Sequence, residues 1–134
     1  MFTFKRTVYF TECDPAGILF FGNYFHLSHH AYEHFMAQLK PAHDYFSDKR
    51  IVLPILTSEA KYRKMIKAGE IVTISITCLS LRENSFQLMF KWKDASGIRL
   101  ADITTTHVCV DKLENKKTGL PADLRVLLEG IMDT

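Results

Sequence analysis

The chain holds one long stretch of helical periodicity, and that stretch comes second in the order of elements. From Asn23, a plausible cap, to about Leu39, the residues Tyr24, Leu27, Ala31, Phe35 and Leu39 fall on one face. His26, His29, His30, Glu33 and Lys40 fall on the other, and Pro41 ends the run. Residues 2–11 before it alternate as a strand does, with Phe2, Phe4, Val8 and Phe10 on one side. After it come strands over 51–64, interrupted near Pro54, then 70–81, 85–94 and 98–111, separated by short turns. A polar loop (114–119) and a short amphipathic tail (122–131) close the chain. One apolar helix stripe and five strands with a single face to bury have an economical solution, a sheet curled around the helix. The expected class is therefore α+β, a five-stranded antiparallel sheet wrapped around one long central helix.

Composition narrows what such a body does. The 134 residues, 47% of them hydrophobic, suit a single domain over 1–134 with an ample core. Lysine and arginine together number 17 against 15 acidic residues, so no global field argues for nucleic acid or an anionic membrane, and any anion site must be local. The alternating N-terminus lacks the apolar core of a signal peptide and no run spans a bilayer, so a cytoplasmic protein is expected. Cys13, Cys78 and Cys109 are odd in number and widely spaced, which fits a reducing compartment better than disulfides or zinc; Cys78 and Cys109 read as buried small hydrophobes.

The densest chemistry lies in Glu12-Cys13-Asp14-Pro15-Ala16-Gly17, followed by the apolar run Ile18 to Phe21 and then Gly22-Asn23-Tyr24. Asp accepts bonds from backbone amides ahead of it, Pro fixes φ and Gly permits positive φ, so a carboxylate is held in a tight turn just before a helix. Asp14, Gly17, Asn23 and Tyr24 resemble the signature of the 4-hydroxybenzoyl-CoA thioesterase family of the hotdog fold. The segments His30-Ala31-Tyr32-Glu33, Thr106 to Val110 and Lys116 to Pro121 look most like its 1,4-dihydroxy-2-naphthoyl-CoA thioesterase branch. The resemblance spans essentially the whole chain. It is specific for fold, less so for reaction and weak for substrate.

The resemblance implies hydrolysis of an acyl-CoA, aromatic or polyketide-like, to free acid and CoA without a metal or redox cofactor. Asp14 then serves as nucleophile or general base, and the residues do not choose between the two. Backbone amides around Phe21 to Asn23, at the positive end of the helix, are free to polarise the thioester carbonyl, with Phe21 the key amide by resemblance. Gly17, Asn23 and Tyr24 frame the substrate, and Thr57 and Ser58 could face the acyl pocket from a neighbouring subunit. Glu33 is a second candidate carboxylate, weighed against a solvated or intersubunit salt bridge. Arg63 and Lys64, with Arg82 at a later turn, could hold CoA phosphates, although charged strand ends are usually just solvated. A sheet with an uncovered face and an open edge points to a homodimer assembling to a homotetramer.

Three other readings have their own signatures. A hotdog dehydratase would pair a histidine with a carboxylate, and no histidine stands near Asp14 in the sequence. A non-catalytic acyl-CoA-binding or oligomeric interaction module would bind esters without turnover. A metal-dependent regulatory domain would use His26, His30 and His34, which recur at i, i+4, but no His-Glu-x-x-His arrangement completes that set.

Overall fold

The computed structural model describes residues 1–133. Strand β1 (Phe2–Thr7) leads through a 3-10 turn (Phe10–Glu12) to helix α1 (Phe21–Met36), which a further 3-10 turn (Ala37–Leu39) extends. The chain then forms β2 (Ile51–Val52), β3 (Ile55–Tyr62), β4 (Ile71–Leu81), β5 (Ser85–Lys93) and β6 (Arg99–Val108). The short strands β7 (Val110–Asp111) and β8 (Lys116–Lys117) precede a final helix, α2 (Ala122–Glu129). The main sheet runs β1-β4-β5-β6-β3 with every neighbouring pair antiparallel. This is the expected five-stranded sheet around one long helix.

Alternation makes the core. On β5, Phe86, Leu88, Phe90 and Trp92 point inward while Gln87, Met89 and Lys91 point out; Val72, Ile74, Ile76 and Cys78 do the same on β4. Against them α1 buries Tyr24, Leu27, Ala31 and Phe35, the stripe its periodicity predicts. Full burial of a Leu or Phe is worth about 1.5–3 kcal/mol, so this seam dominates the packing. The Trp92 indole N–H donates to Ser28 Oγ at 3.0 Å, which satisfies a buried polar pair at the middle of the helix. Helix α2 lays Leu124 and Leu128 against the β4 side of the sheet. Among the described residues no helix is long and apolar enough to cross a membrane.

Three expectations are corrected. The first strand ends at Thr7 rather than Thr11, because the Glu12 carboxylate pairs with Arg6 at 2.9 Å and accepts the Tyr9 amide, drawing residues 10–12 into a turn. Phe10 is therefore turned outward and 71% exposed. The helix starts at Phe21, capped by Phe20, and not after Asn23. The last long strand breaks at Cys109, beyond which β7 pairs with β2 and β8 in a small second sheet that also takes up part of the polar loop.

Register fixes two ends of the main sheet. Thr7 pairs with Ile71 and Phe2 with Ile76, so the chain leaves β1 toward Asp14 at the end formed by Ile71, Lys93, Arg99 and Tyr62. The turn at Arg82 and the starts of β5 and β3 form the other end.

Candidate active site

Asp14 sits at the neck of a tight turn closed by a bridge between Cys13 and Leu19. Its amide donates to the Ile18 carbonyl, its carbonyl accepts the Gly17 amide, and its Oδ1 accepts the amides of Ala16 at 2.9 Å and Ile18 at 3.4 Å. Gly17 has φ +77°, the conformation the turn demands and the one that L residues rarely adopt. One carboxylate oxygen is thus consumed in positioning. The other, Oδ2, makes no hydrogen bond or ion pair with a described residue. Two positions earlier the opposite holds: Glu12 is spent on Arg6 and the Tyr9 amide.

The same segment anchors the helix start. The Phe20 amide donates to the Glu12 carbonyl at 3.1 Å, and Asn23 Nδ2 donates to that carbonyl at 2.7 Å. Asn23 therefore ties the first turn of α1 to the 3-10 turn before Asp14 instead of capping the helix. Its own amide is satisfied by the Phe20 carbonyl, which leaves Phe21 and Gly22 as the unpaired amides of the first turn. At Gly22 a Cβ would lie 2.9 Å from the Phe20 ring, so a larger residue there would make that ring shift. Phe21 is 64% exposed and packs on Phe20, while the Tyr62 hydroxyl donates to the Phe21 carbonyl at 3.5 Å.

Tyr24 is largely core. It packs between Tyr62 and Trp92 at ring distances of 4.8 and 5.1 Å, and burial pushes its phenol up to about 12. A shallow groove beside it is lined by Phe21, Tyr62, Arg63 and Lys64. Arg63 is committed to Asp102 at 2.6 Å and Lys64 leans toward Asp94 at 3.8 Å, so neither is a free cation. Arg82 lies at the opposite end of the sheet, roughly 30 Å from Asp14 of the same chain at strand rise. Glu33 is exposed, with His26, His29 and His30 around a shallow depression, roughly 18 Å along α1 from Phe21. Burial, and secondarily His34, lowers the His30 pKa. Among the described residues no group of three or more His, Cys, Asp or Glu is arranged to hold a metal.

A cavity of about 380 Å³ opens between the middle of α1 and strands β3, β5 and β6, within the size range of small-molecule sites. Phe25, Tyr32, Ser58, Phe90, Thr105 and His107 line it. Ser58 faces it opposite Thr105, whereas Thr57 pairs with Thr106 on the outer face of the sheet. The sequence reading missed Tyr32, Thr105 and His107. The signal for the last two was their inward phase two and four residues beyond Ile103 on a strand otherwise apolar inside.

Residues 8–128 match the model of the thioesterase-like superfamily. The 1,4-dihydroxy-2-naphthoyl-CoA hydrolase of Microcystis aeruginosa is 33% identical over 123 residues, covering 91% of this chain and 88% of that one. Among solved structures, the 1,4-dihydroxy-2-naphthoyl-CoA thioesterase of Synechocystis superposes with a TM-score of 0.86 at 24% identity, over 95% of this chain and 94% of that one. The Dynemicin thioesterase does so at 0.90 and 22%, over 99% and 98%. At those identities the superpositions speak for the fold; the family model and the Microcystis relative speak for descent. The chain thus belongs to the thioesterase-like superfamily and is a thioester hydrolase built on the hotdog fold.

Proposed function

We propose that the chain hydrolyses an aromatic acyl-CoA to the free acid and CoA, with Asp14 as the reacting carboxylate. The observation that carries this reading is local: one carboxylate oxygen without a cation or hydrogen-bond partner among the described residues, in the turn that leads into two unpaired amides at the start of α1. The Phe21 and Gly22 N–H groups supply donors for the charge that builds on the thioester oxygen, an interaction typically worth about 3 kcal/mol in the transition state. Asp14 either attacks the carbonyl carbon or takes a proton from an attacking water. In the first case CoA leaves as thiolate, and water cleaves the resulting anhydride to the acid and the regenerated carboxylate. In the second the water oxygen bonds to carbon, the thiolate leaves, and Asp14 returns the proton to solvent or sulfur. The names of the Microcystis and Synechocystis relatives support an aromatic ester.

The site is completed by a second copy. Strand β3 is an open edge with Leu56 and Tyr62 exposed along it. Antiparallel pairing of two such edges about a two-fold sets the Tyr62 end of one against the Ile55 end of the other. Tyr62 belongs to the end bearing Asp14, and Ile55 lines the cavity, so each Asp14 faces the cavity mouth of the other copy. In this homodimer, or a homotetramer of two such dimers, Ser58 serves the partner's reaction. Phosphate binding by Arg63 and Lys64 requires that they exchange Asp102 and Asp94 for CoA.

Steady-state release of thiol from benzoyl-, 4-hydroxybenzoyl-, 1,4-dihydroxy-2-naphthoyl-, acetyl-, hexanoyl- and palmitoyl-CoA tests the reading. The aromatic esters should give the highest kcat/KM, and sedimentation should give a dimer or a multiple of it. Preference for palmitoyl-CoA would replace the aromatic assignment. Tight ester binding with no thiol released from any ester would replace hydrolysis with a binding role.

A further inference from the structure

The cavity under α1 contains polar groups that the hydrolytic step does not use. Tyr32 is 3% exposed; its ring packs against His107 at 4.9 Å and edge-on to Phe46 at 5.7 Å. The side chain lines the cavity, and its hydroxyl makes no hydrogen bond to a described residue. Burial holds the phenol well above its ordinary range, so the O–H stays protonated. A hydroxyl left free of the protein's own hydrogen bonds is available to a ligand group placed in the cavity.

Thr105 faces the same cavity from β6, with Oγ1 2.9 Å from His107 Nε2. Burial lowers His107 to about 4, so near neutral pH the ring carries one N–H. Nδ1 is sealed from solvent without a hydrogen-bond partner, and the Leu53 backbone offsets part of the lowering that burial causes. Thr105 Oγ1 and His107 Nε2 share one hydrogen bond, so the buried ring holds the hydroxyl in place. Stacking on Phe86 at 4.7 Å and 7° fixes the ring. Thr105 is thereby oriented on a cavity that Tyr32 also lines.

We infer that Tyr32 and Thr105 select an acyl group bearing a hydroxyl, with His107 as the positioning residue that holds Thr105. The inference rests on the acyl-CoA reading above and adds what decides between acyl groups of similar shape. A ring lacking the hydroxyl would offer the Tyr32 hydroxyl no partner, and sites built to bond a substrate hydroxyl reject such analogues strongly.

The test compares 1,4-dihydroxy-2-naphthoyl-CoA with 2-naphthoyl-CoA, which differ only in hydroxyls, for the native protein, Tyr32→Phe, Thr105→Val and His107→Asn. The native protein should favour the hydroxylated ester at least about tenfold in kcat/KM. Tyr32→Phe and Thr105→Val should each lose several-fold more kcat/KM on the hydroxylated ester than on 2-naphthoyl-CoA. His107→Asn, which keeps a small polar group near the Nδ1 position, should fall between. Inhibition of the native protein by 1,4-dihydroxy-2-naphthoate against 2-naphthoate gives the same comparison without relying on any variant to fold. Equal inhibition, no native preference, or equal loss of both esters in the variants overturns the inference. Turnover of hexanoyl-CoA with neither naphthoyl ester cleaved overturns it while leaving thioester hydrolysis standing; no turnover of any thioester removes both.

Discussion

The first turn of α1 and the middle of the same helix rest on one sheet but are built to opposite ends. In the middle, Leu27, Ala31 and Phe35 are fully buried and even the polar Ser28 is paired to Trp92. At the first turn, Phe20 and Phe21 are exposed, two backbone amides lack partners, and the neighbouring Asp14 has one oxygen free. Close packing in the middle fixes where the helix axis lies. The unsatisfied groups at its start are therefore held in position by contacts other than their own, as a reacting site requires. Stability and chemistry are separated along about two turns of one helix, and perturbations should sort accordingly.

The largest loss of stability is expected from Phe35→Ala, about 3–5 kcal/mol by denaturant unfolding, because the ring is fully buried. A cost below about 1 kcal/mol would show that the middle is not the anchor. Next comes acid. His107 is held near 4 against about 6.5 when unfolded, so between those values the unfolded chain binds more protons, and stability falls as pH falls. Moving from pH 7 to pH 5 should remove on the order of 2 kcal/mol, and His107→Phe should flatten that slope. A slope of opposite sign in the native protein would mean that the imidazole is charged when folded.

Asn23→Ala should cost about 1 kcal/mol through loss of the bond to the Glu12 carbonyl, yet lower kcat about tenfold because the Phe21 and Gly22 amides are no longer tied to the Asp14 segment. Equal kcat would detach Asn23 from the chemistry. Asp14→Asn should change stability least, within about 0.5 kcal/mol, since an amide oxygen can still accept the Ala16 and Ile18 amides. A larger loss would make Asp14 a structural residue of the turn.

What the sequence made legible follows the same division. The helix stripe and the alternation of β4 and β5 are repeated local patterns, and the Asp14 turn is spelled by four consecutive residues, so each could be read without knowing what lay across from it. The start of α1 could not. Asn23 is a favoured cap by residue type, but its amide reaches the carbonyl of Glu12, and only the folded chain brings those groups together. Phe10 turned outward for a similar reason, through the Arg6 to Glu12 pair. The cavity was illegible because Tyr32, Ser58 and Thr105 come from three separate elements. Alternation on β3 placed Ser58 at the cavity and Thr57 on the far face, a distinction that needed the strand's register. The expected cations are divided in the folded chain, Arg63 resting on Asp102 and Arg82 standing at the far end of the sheet.

The central claim is that the free oxygen of Asp14 carries the reaction. The direct measurement is kcat of the native protein and of Asp14→Asn on the best CoA ester, at equal fold by circular dichroism and equal ester affinity. The account predicts a loss of at least about a hundredfold, close to 3 kcal/mol of transition-state stabilisation. Retention of activity within about threefold would contradict it and move the search for the reacting carboxylate to Glu33.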